Sequence, residues 1–298
     1  MSKGSVIINF TIGFGNNLFQ YVYGRLLAEK YDLLLNHPPI EPFNITEKES
    51  SIDKNIPFIL IDDNNCKEAL ENFKGPANYY INGYFEDFSL YKPYVEKIRS
   101  WFPKVEVTNK NDLILHFRLQ NRLVQTTHCQ NHVPFEVFDK GIQNFDFDKL
   151  HIVTDAKKWD SYKKEDIEEI REEIRIGPNP PEKSPWVSTK YSLDYMNHLI
   201  DGFSKYSPIV HCNNAKTIAG SGGLRSDFME DFNLIRNFDK IMFKDSTFSW
   251  WAAFLSEASH VSPFGPWKPN KGSRNKNLGL AAFSGWKSWG SFEDLISG

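Results

Sequence analysis

Residues 9–32, NFTIGFGNNLFQYVYGRLLAEKYD, run from an apolar strand through a glycine turn into a helix. The strand covers 6–10, and Leu18, Tyr21, Val22, Arg25, Leu26 and Glu29 keep helical spacing through 18–31. A second short strand follows at 33–35. Glycines that close a strand and open a helix let a ligand approach the backbone, so Gly13 and Gly15 mark the first place to look for one. A dinucleotide fingerprint needs a third glycine, where Leu18 stands, and an acid closing the second strand, where Asn36 stands. No P-loop follows any strand.

Outward from this unit, strands are expected at 58–61, 80–81, 113–118, 151–154 and 240–243. Helices are expected at 90–101, 135–144, 191–204, 226–237 and 248–257, with a charged helix ending at 175 whose ionic run reads as a solvated face. Residues 36–78, with Pro38, Pro39, Pro42 and Pro57, read as irregular connection around one strand. Strands alternating with helices argue for an α/β protein with parallel sheets covered on both faces.

Composition fits this picture. The chain has 298 residues, 40% hydrophobic and 24% charged, enough for two ordinary domains with ample core. A net charge of −3 leaves no broad basic surface for nucleic acid. Aromatic residues make up 15% of the chain, in the manner of carbohydrate binders, although core packing accounts for most such rings. Cys66, Cys129 and Cys212 are odd in number and widely spaced, which reads as reduced thiols of a cytoplasmic protein. The start, MSKGSVIINF, is too short an apolar run for a signal peptide or a transmembrane segment.

Parallel sheets bind ligands beyond the carboxyl ends of their strands. Those ends carry Gly13, Phe14, Gly15, Asn16 and Asn17; His116, Phe117 and Arg118; Thr154 and Asp155; and Lys244, Asp245, Ser246, Thr247, Phe248 and Ser249. Each alone has an ordinary structural explanation, for example Ser246 or Thr247 as a helix N-cap. Their recurrence at four strand ends points to a site.

Taken together, these segments carry a resemblance. IGFGNNLFQYVYGRLLA resembles the Gly-x-Gly-Asn-Gln-x-Phe-Gln-Tyr motif of the α-1,2-fucosyltransferases, glycosyltransferase family 11. NGYFEDFSLYKPYVEKIRSWF is similar to that family's Gly-Tyr-Phe segment, ILHFRLQN to its His-x-Arg-Arg-Gly-Asp, and HIVTDAKKW to its Ser-Asp-Asp-x-x-Trp. DFNLIRNFDKIMFKDSTFSWWAAFLS resembles its Asn-Ser-Ser-Phe-Ser-Trp-Trp-Ala-Ala region, and the order of segments is the family's.

The resemblance implies a GT-B architecture, two Rossmann-like domains with parallel sheets facing a central cleft. The expected boundaries are an acceptor-side domain over 1–142, a nucleotide-sugar donor domain over 143–275, and a tail over 276–298 packing back on the first. The implied activity is an inverting, metal-independent transfer of a sugar from a nucleotide sugar, GDP-fucose foremost, to a hydroxyl of an oligosaccharide acceptor. No cofactor is expected beyond the nucleotide sugar as co-substrate.

By resemblance, Arg118 contacts the donor diphosphate, while Ser246, Thr247 and Phe248 offer hydroxyls and N–H groups at a helix start. His116 and Asp155 lie around the base, where a carboxylate can accept from both N1–H and N2–H of guanine. Gly13, Phe14, Gly15 and Asn16 complete the donor contacts, with Arg225 and Asp245. Candidate bases are Asp87 and Asp245, with Glu86 behind them. Asp146 and Asp148 form an Asp-x-Asp, but it precedes a strand, so no metal ligand is assigned.

The chain also departs from the family pattern. Leu119, Gln120 and Asn121 replace an arginine, a glycine and an aspartate; Asn17 replaces a glutamine, and Ala156 an aspartate. Two alternatives therefore stand beside GDP-fucose: another donor such as UDP-xylose or a different deoxyhexose, and a glycan-binding protein without turnover.

Overall fold

The computed structural model describes residues 4–11, 13–46, 52–72, 74–125, 132–176, 186–212, 228–244 and 246–264. They form two compact units, divided between Pro103 and Lys104.

The first unit holds β1 (Ser5–Ile8), α1 (Phe14–Lys30), β2 (Leu34–Asn36), β3 (Phe58–Ile61), α2 (Cys66–Glu71), β4 (Asn78–Ile81) and α3 (Val95–Arg99). Its four strands are all parallel, in the order β2-β1-β4-β3. Helix α1 starts one turn earlier than its apolar spacing suggests, at the glycine turn itself. Gly13 sits at φ 99°, a conformation that disfavours side-chain-bearing residues, and its carbonyl accepts the first helical bond from Asn17 N at 3.0 Å. Gly24 lets the helix lie close on β1, since a Cβ there would stand 2.5 Å from Ile8 Cδ1.

Two expectations fail here for local reasons. The helix foreseen over 90–101 breaks into short 3₁₀ turns, Phe88–Leu90 and Lys92–Tyr94, before α3. Pro93 lacks the N–H that a continuous helix needs. Helix α2 was not foreseen, because six residues carry too little periodicity to read.

The second unit holds β5 (Asn109–Phe117), α4 (Gln120–Val124), α5 (Phe135–Ile142), β6 (Leu150–Thr154), α6 (Lys164–Ile176), α7 (Thr189–Ser204), β7 (Ile209–His211), α8 (Phe228–Arg236), β8 (Phe238–Lys244), α9 (Thr247–Phe254) and β9 (His260–Phe264). Its five strands are parallel, in the order β7-β6-β5-β8-β9. Numbered within the sheet this is 3-2-1-4-5, the doubly wound arrangement.

Strand β5 is therefore the centre of the second sheet. The domain boundary expected after residue 142 instead falls before β5, because β5 pairs with β6 and β8 and with no strand of the first unit. The tail expected over 276–298 lies outside the described residues.

The core of this unit is aliphatic and aromatic. Phe117 on β5 contacts Phe138 of α5 at 4.9 Å and Phe203 of α7 at 5.9 Å between ring centroids. Trp250 and Trp251 are fully buried, so these rings serve packing. Leu119 and Ala156 are buried as well and belong to this core. No helix among the described residues is long and apolar enough to cross a membrane.

Candidate functional site

A doubly wound sheet leaves a crevice where its strand order reverses, outside the carboxyl ends of the two central strands. In the second unit these strands are β5 and β8, with His116 opposite Phe243 in the register. His116 is buried on the last turn of β5, and its Nδ1 is hydrogen-bonded to Ser249 Oγ on α9. Its ring lies 5.5 Å from that of Phe248. Burial pulls the imidazole down to about 4, against the opposing pull of Asp155, so His116 is neutral at pH 7.

Helix α9 opens directly into this crevice. Ser246 is its N-cap in extended conformation, and Ser246 O accepts Trp250 N–H at 2.9 Å, but the Ser246 side chain caps no backbone N–H. No acidic side chain stands in the first turn. Its first N–H groups and the positive end of the helix dipole stand at the carboxyl end of β8. Lys244, the last residue of β8, is buried beside them.

Asp155 follows β6 on the other side of β5. Its Oδ1 accepts Leu119 N–H at 2.5 Å, and its Oδ2 lies 3.5 Å from Arg118 Nε. The Arg118 side chain is 40% exposed, so it reaches outward from the strand end. The second unit thus brings together His116, Arg118, Asp155, Ser246, Thr247 and Phe248 at the carboxyl ends of three strands. Asp245 and Arg225 lie outside the described residues.

Gly13, Phe14, Gly15, Asn16 and Asp87 belong to the first unit. There the strand order reverses between β1 and β4. Buried Gln20 ties the two exits together: its Oε1 accepts Thr11 N–H at 3.1 Å and its Nε2 donates to Gly83 O at 2.9 Å. Phe14 is buried against Phe43, with centroids 5.7 Å apart. Asp63 accepts from Tyr84 N at 3.0 Å and Phe85 N at 2.6 Å, which holds Phe85 at φ 55° with its ring stacked on Tyr23. Asp87, a candidate base, accepts Ser89 N–H at 2.9 Å and so caps the first 3₁₀ turn.

The sequence places Ser249 among the strand-end residues but does not reveal its His116 partner. Gln20 is not singled out; it is a polar side chain inside an apolar helical run, and that contrast is the available signal. Asp146 and Asp148 are exposed ahead of β6, at the amino end of the sheet and away from the crevice. Among the described residues, no group of three or more His, Cys, Asp or Glu side chains is placed to hold a metal ion.

Searches against family models, curated proteins and solved structures found no match to this chain.

Proposed function

We propose that the protein is an inverting glycosyltransferase that uses a nucleotide sugar, with GDP-fucose the favoured donor and a glycan hydroxyl the acceptor. One observation carries this reading. The reversal point of the second sheet and the strand end beside it gather a cation, an acidic partner of that cation, a neutral histidine and a helix N-terminus. A nucleoside diphosphate matches that set: phosphate for the N–H groups of α9 and for Arg118, and a base for the Asp155 side of the crevice.

In the transfer, the acceptor oxygen bonds to the anomeric carbon as the bond from that carbon to the diphosphate oxygen breaks. The acceptor proton passes to a base or to water. Negative charge grows on the departing diphosphate, where Arg118 and the helix N-terminus stabilise it. These groups supply positive potential from the chain itself, which supports turnover in the presence of EDTA.

A second reading concerns the base. Asp155 already accepts one backbone N–H and lies beside Arg118, so a guanine that took both its oxygens would have to displace these partners. This favours keeping a UDP-linked pentose as the alternative donor. A thermal-shift series with GDP, UDP, GDP-fucose and UDP-xylose separates the two, because a ligand that binds only the native state raises Tm. No shift with any of the four overturns the nucleotide-sugar reading. Donor hydrolysis distinguishes an enzyme from a binding protein without turnover.

A further inference from the structure

A cavity of about 680 Å³ opens on the flank of α1 in the first unit, beside the edge strand β2. Tyr21, Arg25, Ala28 and Glu29 line it as one helical stripe, starting two turns into α1 and so away from the glycine turn. Its volume falls within the range of small-molecule sites, roughly 300–1,000 Å³.

The polar wall is built and held in place. Arg25 Nε donates to Glu29 at 2.8 Å, and Arg25 Nη1 donates to the Tyr21 hydroxyl at 2.9 Å. The guanidinium lies over the Trp101 ring at 4.2 Å, and Lys97 grips the second Glu29 oxygen at 2.8 Å. This fixes donors and acceptors side by side along one edge. Arg25 Nη2 makes no hydrogen bond among the described residues, and neither do the Asn44 side-chain amide and the Thr46 hydroxyl of the same lining. Asn44 is set there by a left-handed backbone, φ 55°, at the close of a 3₁₀ turn. Leu33, Leu35 and Ile45 give the remaining wall an aliphatic surface.

This chemistry selects among ligands. The two cations Arg25 and Lys97 are balanced by the two carboxylates Glu29 and Asp32, so this wall has no net positive charge to draw an anion. One face of Trp101 is covered by Arg25, and Tyr21 is buried edge-on against His37 and Phe102, so the cavity lacks an open stacking platform for a base. Fixed donors and acceptors set side by side pair well with vicinal hydroxyls, and an aliphatic wall suits the C–H face of a sugar ring.

We propose that this cavity is a binding site for a neutral saccharide, separate from the strand-end crevice of the second unit. The site stands whether or not the protein transfers sugars, because its evidence comes from the first unit alone.

Saturation-transfer-difference NMR on the full chain tests it, with lactose and cellobiose as probes, GMP as the anionic aromatic control, and no nucleotide sugar present. The expected result is transfer to ring protons of at least one disaccharide at millimolar concentration. Arg25→Ala should weaken that binding by about tenfold or more, the loss of one charge-assisted hydrogen bond. Asn44→Gly keeps the left-handed backbone and removes only the amide, so it should weaken binding with Tm unchanged. Absence of transfer to both sugars overturns the proposal. So does transfer that persists undiminished in both variants, or GMP binding that Arg25→Ala abolishes. None of these outcomes bears on nucleotide-sugar binding by Arg118, which the thermal-shift series reads independently.

Discussion

Asp155 and Leu119 are joined by a hydrogen bond of 2.5 Å from the Leu119 N–H to Asp155 Oδ1, which ties the exit of β6 to the exit of β5. The same carboxylate faces Arg118 through its other oxygen. Asp155 therefore organises the strand ends as well as offering a group to a ligand.

Asp155→Ala leaves the Leu119 N–H without this acceptor in a part-buried loop, at a cost of about 1–3 kcal/mol. Asp155→Asn keeps an acceptor oxygen and loses less. Urea denaturation of both variants checks the order. If Asp155 also reads guanine, the alanine variant loses its preference for GDP over UDP, measured by titration calorimetry.

Arg118→Ala behaves differently. The Arg118 side chain is 40% exposed and its ion pair is 3.5 Å long, so its removal costs about 0–1 kcal/mol of stability. Loss of a charge-assisted phosphate contact costs about 1.5–3 kcal/mol of binding, tenfold or more in affinity for a nucleoside diphosphate. An unchanged Tm with intact GDP and UDP binding would remove Arg118 from the site.

His116 gives the protein a specific acid sensitivity. Burial lowers its folded-state value to about 4, below the ordinary 6.5 of an exposed histidine. Between these values the unfolded chain binds a proton that the folded chain refuses, so stability rises with pH through this window. The contribution is fully present above about pH 6.5 and is lost as pH falls towards 4, a change on the order of 3 kcal/mol. His116→Gln removes this component. The difference in unfolding free energy between wild type and variant, measured from pH 7 to 4.5, should narrow or reverse as the pH falls. A constant difference would contradict it.

Two glycine substitutions separate strain from crowding. A Cβ on Gly13 meets nothing closer than Asn16 Nδ2 at 3.7 Å, so Gly13→Ala carries the backbone cost of φ 99° and ψ 125°, about 1–3 kcal/mol. A Cβ on Gly202 would stand 2.1 Å from Phe135 Cγ, inside the core of the second unit. Gly202→Ala should cost about 1–3 kcal/mol or more by overpacking, despite alanine's better helix propensity. Chemical denaturation of each variant reads these costs directly.

Much of this architecture is legible in the sequence because parallel strands leave continuous apolar runs. Leu113, Ile114 and Leu115 on β5 are fully buried, and so are Ile241, Met242 and Phe243 on β8. What the sequence hides is short or broken. Strand β7 has three residues, follows Pro208 and keeps Ile209 42% exposed, so it carries no apolar run. Strand β9 contains Pro263, which argues against a strand until its place at the sheet edge is known. The site divides in the same way. Residues at or just past the ends of strands, His116, Arg118 and Asp155, are legible from strand ends alone. Ser249 and Gln20 act across elements, and only the fold reveals what they touch. The domain boundary was misplaced because no local signal tells β5 which sheet it will join.

The two neighbours of β5 reach it at very different times during synthesis. Ile114 sits beside His151 on β6, close along the chain, and beside Ile241 on β8, which emerges from the ribosome far later. Until then one backbone edge of this central strand has no partner strand. Pairing across such a separation is slow, and an unpaired apolar strand invites association with other chains. Folding of the second unit is therefore gated by its last third, and a chain arrested before β8 exposes the edge that the finished sheet conceals.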